Sequence, residues 1–303
     1  MDEFIDFLYE MEIFIFITCG IIAVVCLSKW FRAPFVSWPP ERRGATPAVF
    51  FLLPVMAFVI IMATLMSMAS FDVVDDFFYL AMYLVMGFTS ISMGIGLMRW
   101  YFDISWIDDA AHLNNRAALA VVSCAYIALA LMYAGANVGD GPGWWCVVWA
   151  GTLGLVTWFI SAGVVNTYTG VFERITIERD LGCGIRFGAF LLASGIILAR
   201  ASSGDWTSAW VTVVEFADGW PVLPLMLLVI VIERFFKKSA HDVQHSQTAG
   251  YAGSVLCGLA YVALAAASLF FLPSLAQTYL VHDSLSLPQD AAVALDFSQE
   301  RHP

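Results

Sequence analysis

Residues Phe172 to Leu192, FERITIERDLGCGIRFGAFLL, set three carboxylates and three guanidiniums between two long apolar runs. Read as a loop joining two helices, the stretch leaves Glu173, Arg174, Glu178, Arg179 and Asp180 mostly in water, where exposed ion pairs contribute little. Arg186 differs. It lies on the apolar side of Gly182, Cys183 and Gly184, and shares a helical face with Arg179, seven residues earlier. Burying an arginine within an apolar span costs about 2.5–3.5 kcal/mol on insertion scales unless it snorkels or finds a partner. Two readings stand side by side. In one, carboxylates form a collar that neutralises Arg186, supplied by Asp180 or by Asp108 and Asp109 of an earlier loop. Arg116, Glu178 and Arg179 complete that charged set. In the other, Arg186 snorkels to the headgroups. The collar reading expects loss of Arg186 to destabilise the protein more than loss of Arg174.

Other residues with chemistry in reach are fewer. Asp72, Asp75, Asp76, Asp140, Asp205 and Asp218 fall in one set of alternate loops, where carboxylates attract cations or simply solvate the surface. From that set, Asp72, Asp76, Asp140 and Asp218 form a candidate acidic mouth. Arg200, at the end of an apolar run, has Glu215 and Asp205 nearby in sequence as expected ion-pair partners, with ligand capture as the other reading. His241 and His245 are four apart and would share a helix face, a geometry metals use, but no third ligand accompanies them. The segment Asn166 to Gly170, NTYTG, makes one span end polar, either to line a pathway or to join helices.

No nucleotide-binding glycine motif, nucleophile elbow or metalloprotease helix is present. All three lysines, Lys29, Lys237 and Lys238, lie at the ends of apolar runs, which excludes a midspan Schiff base. None of the six cysteines forms a C-x-x-C pair, so they read as small packing residues. No cofactor, metal or nucleic-acid partner is expected, and no enzymatic activity.

The elements that position these residues are membrane spans. The chain has 303 residues, 60% hydrophobic and 13% charged, with mean hydropathy +0.79. Soluble domains are nearer a quarter charged. Apolar runs of the length needed to cross a bilayer recur at about 12–31, 48–69, 77–99, 116–136, 144–171, 183–201, 209–235 and 250–274. The fold class is all-α, a polytopic helical membrane protein. The seventh run carries Glu215, Asp218, Gly219 and Pro221 in its first half, and reads as an interfacial helix bending into a shorter span. The opening MDEFIDFLYEMEIF has five acids and no basic residue, unlike a signal peptide, so the first run is expected to stay as a helix.

Twelve of the fourteen Lys and Arg residues fall at the end reached after spans one, three, five and seven. By the positive-inside rule this end is cytoplasmic and both termini are outside. Sixteen of the twenty-five acids lie at the opposite end, so the net charge of −11 is concentrated there. Trp30, Trp38, Trp100 and Trp106 flank the inner ends of spans, and Trp144, Trp145, Trp206, Trp210 and Trp220 the outer ends, where indole rings favour the headgroup level.

Phe78 to Ala136 and Val147 to Gly204 align with a period near 65 residues. Each has an inward span, a loop of mixed charge, and an outward span that opens with small residues. Leu225 to Phe270 is a looser copy. Gly184 and Gly188 are four apart, as are Gly250, Ser254 and Gly258, the spacing that lets membrane helices approach closely. We expect tight packing within each helical hairpin. The expected units are 1–11, an outer N-terminal segment; 12–136 and 137–275, two four-helix membrane units; and 276–303, a disordered outer tail.

On the stretches Glu178 to Trp206 (ERDLGCGIRFGAFLLASGIILARASSGDW) and Asp108 to Ala136 (DDAAHLNNRAALAVVSCAYIALALMYAGA), the chain resembles the YjfL-like bacterial inner-membrane family, catalogued as domain of unknown function 350. The family unit resembles four helices, so the resemblance implies two units in tandem across most of 10–275. Glu41 to Phe51 departs from it, with no Asn and with Pro47 at the helix start. The resemblance implies location and topology, not an activity. Two function classes follow. One is a non-enzymatic scaffold whose short charged loops dock a cytoplasmic protein such as an envelope-stress component. The other is a channel or transporter for a small cation or solute. Beyond the lipid bilayer, the partner classes are that cytoplasmic protein and a second copy of the chain.

Overall fold

A computed structural model describes residues 2–36, 44–69, 73, 76–139, 143–204, 208–242 and 247–272. Among them there is no β-strand, and the chain is a polytopic bundle of ten α-helices: α1 (Asp2–Val36), α2 (Thr46–Met68), α3 (Phe77–Tyr101), α4 (Arg116–Gly135), α5 (Trp144–Thr169), α6 (Val171–Thr176), α7 (Leu181–Ala201), α8 (Ala209–Phe216), α9 (Val222–Asp242) and α10 (Gln247–Phe271). Eight segments are long and apolar enough to cross a membrane, with α8 and α9 counted as one. The protein is a multi-pass membrane protein. The α8–α9 segment is broken at Ala217–Gly219 by a 3-10 turn, just before Pro221, whose ring and missing N–H prevent an unbroken helix. Asp72 and Asp140 lie outside the described residues, as does the tail.

Four helices, α2, α4, α7 and α10, stand side by side in one row, and each neighbouring pair runs parallel. Along α4 and α7, Gly184 abuts Ala117, Gly188 abuts Ala120 and Val121, Gly195 abuts Ala128, and Gly135 abuts Ala199. Along α7 and α10, Gly182 meets Ser254 and Gly258 meets Ala189. In α2 and α4, Thr46 at one end donates to Asn114 Oδ1 at 2.8 Å, and Met68 at the other end accepts from the Gly139 N–H at 3.4 Å. Lipid is as apolar as leucine, so helices associate through close packing rather than hydrophobic expulsion. Glycine and alanine supply that packing by letting backbones touch.

This corrects the expectation of hairpin packing. The small-residue faces join parallel helices that are one hairpin apart in sequence, and the α4–α7 contact is the most extensive in the molecule. The remaining spans flank the row as the pairs α1–α3 and α5–α9. In the first, Thr89 donates to the Cys19 carbonyl at 2.9 Å and Tyr79 to Glu12 at 2.9 Å. Trp158 of α5 is fully buried and its Nε1 donates to the Leu191 carbonyl of α7 at 2.9 Å.

Trp30 also departs from expectation. Instead of facing headgroups it is buried, stacked on Phe50 at 4.5 Å, with its Nε1 donating to the Phe50 carbonyl at 2.8 Å. Its indole N–H is satisfied by the carbonyl of an adjacent helix, which removes the usual reason for the ring to seek the wet interface.

The two ends of the bundle differ. We call the end bearing Arg99, Arg116, Arg174 and Arg234 the basic end. There, two connections have matching backbones. Asn114 (φ 51°) and Arg179 (φ 56°) are 65 residues apart, and each precedes the N-cap of a row helix. The caps, Asn115 and Asp180, accept from N–H groups of the first turn, satisfying donors that a helix start leaves open. At the other end, the Gly204 N–H donates to the Val138 carbonyl at 3.2 Å, so the ends of α2, α4 and α7 are stitched by backbone bonds. Gly139 has φ 123°, a conformation that side-chain-bearing residues rarely adopt, and its Cα faces the Gly204 carbonyl too closely for a Cβ.

Candidate functional site

The chemistry flagged in FERITIERDLGCGIR converges on a four-charge cluster at the basic end, with three members buried and Asp180 half-buried at its edge. Arg186 is 2% exposed and Glu233, on α9, is 0% exposed. The two form a bidentate pair, with Nε to Oε1 at 2.5 Å and Nη2 to Oε2 at 2.9 Å. Arg174, on α6, donates from Nη1 to the same Oε2 at 2.8 Å and from Nη2 to Asp180 Oδ2 at 2.7 Å. Asp180 Oδ1 caps α7 by accepting from the Cys183 N–H at 3.0 Å. Arg186 Nη1 donates to Ser254 Oγ on α10 at 2.5 Å, and its guanidinium carbon lies 4.0 Å from the centre of the Phe236 ring.

Two guanidiniums and two carboxylates leave the cluster formally neutral, and each charged head bonds another. Arg186 lies about 7–8 Å along α7 from its first residue at 1.5 Å per residue, so this neutrality is reached inside the apolar layer. The geometry ties α6, α7, α9 and α10 at one point. Chemically, the cluster can fix geometry; Glu233 is fully enclosed, while Asp180, about a third exposed, is taken up by Arg174 and by the cap of α7.

Arg174 is therefore not a loop residue in water, as its sequence context implied, but buried at 7% exposure. Burial works against its charge, yet the neighbouring Glu233 and Asp180 outweigh burial and raise its pKa above the ordinary guanidinium value. For Asp180, burial acts upward, but the Cys183 N–H and Arg174 prevail and hold the carboxyl below 3.8. A carboxyl depressed in the folded state stabilises fully above its unfolded pKa, and that stability is lost as pH falls through the folded value. We expect the detergent melting temperature to drop as pH is taken below 3.8, and Asp180→Asn to flatten that drop. Identical acid profiles for both proteins would remove Asp180 from this account.

The acid that neutralises Arg186 is thus neither Asp108, Asp109 nor Asp180 but Glu233. Asp180 serves Arg174. Asp108 pairs with Arg99 at 3.1 Å and accepts from Ser105 Oγ at 2.9 Å in the π-helical turn Trp106–His112. Asp109 accepts from the Ser105 N–H at 2.7 Å; burial raises its pKa against that bond, with Asp108 adding to the rise. Arg116, Glu178 and Arg179 are exposed. The proposed collar therefore divides: Asp180 and Arg186 belong to the buried cluster, and the other five do not. Sequence reasoning misses Glu233 because a single acid four residues before Lys237 reads as the charged edge of a span. The usable signal is a second ionisable group at the same depth as Arg186, three residues before the Phe236–Lys237 boundary where the apolar run ends.

At the opposite end, Asp76 caps α3 by accepting from the Phe78 N–H at 2.7 Å and is exposed. Among the described residues Arg200 is not ion-paired to Glu215, and Asp205, the other expected partner, lies outside them. Glu215 lies against Gly204 instead, because the break after α8 sets it across from the loop following α7. Arg200 and Asp218 line a small cleft with Trp220 and Ser268. His245 lies outside the described residues and His241 only has its backbone described, so that pairing stays unplaced. No group of three metal-ligating side chains occurs among the described residues. In the polar segment of α5, Thr167 and Thr169 donate to Gly163 and Val165 on their own helix, while Asn166 Oδ1 accepts from the Phe172 N–H of α6 and the Tyr168 carbonyl from Arg234 of α9, so the segment joins helices through its amide and backbone and not through its threonine hydroxyls. All cysteines are free thiols. Comparison of the chain with protein-family models, with curated proteins and with solved structures finds no match.

Proposed function

We propose that the chain is a non-enzymatic scaffold of a bacterial inner membrane, with its basic end in the cytoplasm and both termini outside. One observation carries this reading. The charges drawn into the bundle, Arg186 and Glu233, bind each other and lock four helical elements at the face where the charged connections emerge. A transport site keeps an ionisable group poised for a ligand or proton, whereas this cluster is internally neutral and its buried acid, Glu233, is bonded on both oxygens. The backbone contacts between α4 and α7 make the centre of the row solid, which also favours a rigid platform. The Lys and Arg distribution supports the orientation. The matching left-handed residues Asn114 and Arg179 support a repeated unit, and membership of the YjfL-like family is part of the same proposal.

The rival reading, a channel or transporter for a small cation, draws on the cleft that holds Arg200 and Asp218. The test is ion flux in liposomes reconstituted with the purified chain, combined with site-specific crosslinking from Arg116 and Glu178 in cells. The scaffold reading expects flux equal to that of empty liposomes and one stoichiometric cytoplasmic protein crosslinked at both positions. Flux abolished by Asp218→Asn would replace it with the rival.

A further inference from the structure

The cations at the basic end are not treated alike. Arg99, Arg174 and Arg186 each have a carboxylate. Arg234 and Lys237 have none among the described residues, although both are exposed and both gather on the end of α5. Arg234 Nε donates to the Tyr168 carbonyl at 3.2 Å, with its guanidinium 5.7 Å from the centre of the Tyr168 ring. The Lys237 ammonium lies 3.8 Å from where a Cβ on Gly170 would stand. Among the described residues neither Nη group of Arg234 is bonded, which leaves both for a planar or tetrahedral oxyanion, with an ammonium nearby on the same helix end.

What runs away from these cations is apolar. On α5, Val156, Ile160 and Tyr168 are exposed on one face at multiples of four residues; on α9, Leu223, Leu227 and Val231 do the same. From Tyr168 to Val156 is about 18 Å at 1.5 Å per residue, close to half of a roughly 30 Å hydrocarbon core, which is the depth of one leaflet. A doubly cationic head above a ridge one leaflet long matches a ligand with a negative head and acyl chains.

We propose that the α5–α9 seam binds an anionic phospholipid, with Arg234 and Lys237 holding the phosphodiester and the two ridges holding the chains. This depends on the chain spanning a bilayer and not on the scaffold reading, so a failed flux or crosslinking result leaves it standing. The phosphate-binding chemistry is shared by a free phosphate ion; the acyl ridges assign the lipid.

The test is native mass spectrometry of the full chain released from detergent after equilibration with equal phosphatidylglycerol and phosphatidylcholine. The wild-type chain should retain phosphatidylglycerol in preference by about tenfold or more, given the size of the attraction between an anionic headgroup and each nearby basic residue. Arg234→Gln with Lys237→Gln should abolish the preference, while Arg116→Gln, an exposed cation at the same end, should keep it. Both variants change exposed side chains, and their melting temperatures in detergent should match the wild type, so a lost preference reads as lost binding. Equal retention of the two lipids by the wild type overturns the site, as does an undiminished preference in the double variant. Displacement of phosphatidylglycerol by inorganic phosphate at about ten millimolar would assign the cations to a simple anion and overturn the lipid.

Discussion

Glu233→Ala is expected to cost about 3–5 kcal/mol of folding stability, the range measured when one partner of a buried ion pair is removed. The reason is the arithmetic of the cluster. Glu233 receives three guanidinium N–H bonds, two from Arg186 and one from Arg174. Without it, two cations remain in the apolar layer against the single carboxylate of Asp180, and Arg186 keeps only Ser254 and the Phe236 ring. Removing Arg186 together with Glu233, as Arg186→Met with Glu233→Leu, restores neutrality because Arg174 still pairs with Asp180. That double variant should be more stable than either single variant, since hydrophobic replacement of a whole buried pair is often neutral or better. Glu178→Ala, exposed in the same connection, should leave the unfolding curve where it was. Chemical unfolding in mild detergent reads all of these proteins. A double variant that loses the sum of the two single losses would show that these residues do not act as a unit.

The spans are legible because bilayer thickness imposes a length that composition alone reveals, and seven of the eight appear as single helices, six near the expected boundaries and α1 running from Asp2 to Val36, through most of the expected outer segment 1–11 and past the expected end at 31. Helix starts are legible where capping chemistry marks them, as at Asn115 and Asp180. The buried cluster is half legible. Arg186 announces a need for a carboxylate, but hydropathy says nothing about which helices become neighbours, and its partner comes from 47 residues downstream. Sequence distance alone favours the nearer acids, Asp180 included. Arg200 and Glu215 do not pair for the same reason: fifteen residues apart in sequence, they have different neighbours, and the Glu215 carboxylate lies against Gly204.

The glycine pattern misleads at a different level. Spacing by four identifies a close-packing face on α7 correctly, because a face follows from 3.6 residues per turn. It does not say whether the facing helix is the hairpin partner or the corresponding helix of the preceding hairpin. Trp30 shows the converse limit. An indole near a span end fits both the headgroup layer and a buried carbonyl, and the choice is made by Phe50, twenty residues away.

The α4–α7 contact sets the second large effect. A Cβ on Gly135 would overlap the Ala199 carbonyl oxygen, and one on Gly184 would stand 2.7 Å from both the Cα and the oxygen of Ala117. In each case the obstacle is backbone, which no rotamer change can move, so the two helices must separate along their length. Overpacking in a close-packed interior costs about 1–3 kcal/mol, and Gly135→Ala should reach the upper end of that range because its clash is the deeper. Gly96 on α3 supplies the control: a Cβ there would meet nothing within 4 Å, and alanine should be neutral or gain about 0.5–1 kcal/mol through helix propensity. If separation of α4 from α7 is the cause, the loss in Gly184→Ala should also weaken the cluster just beyond it, because Gly184 and Arg186 are neighbours on the same helix. Gly184→Ala and Glu233→Ala should then combine to less than the sum of their separate losses. Additive losses would mean that the packing seam and the ion cluster hold the bundle independently, and a Gly135→Ala protein that unfolds with the wild type would mean that the row is not held by backbone contact at all.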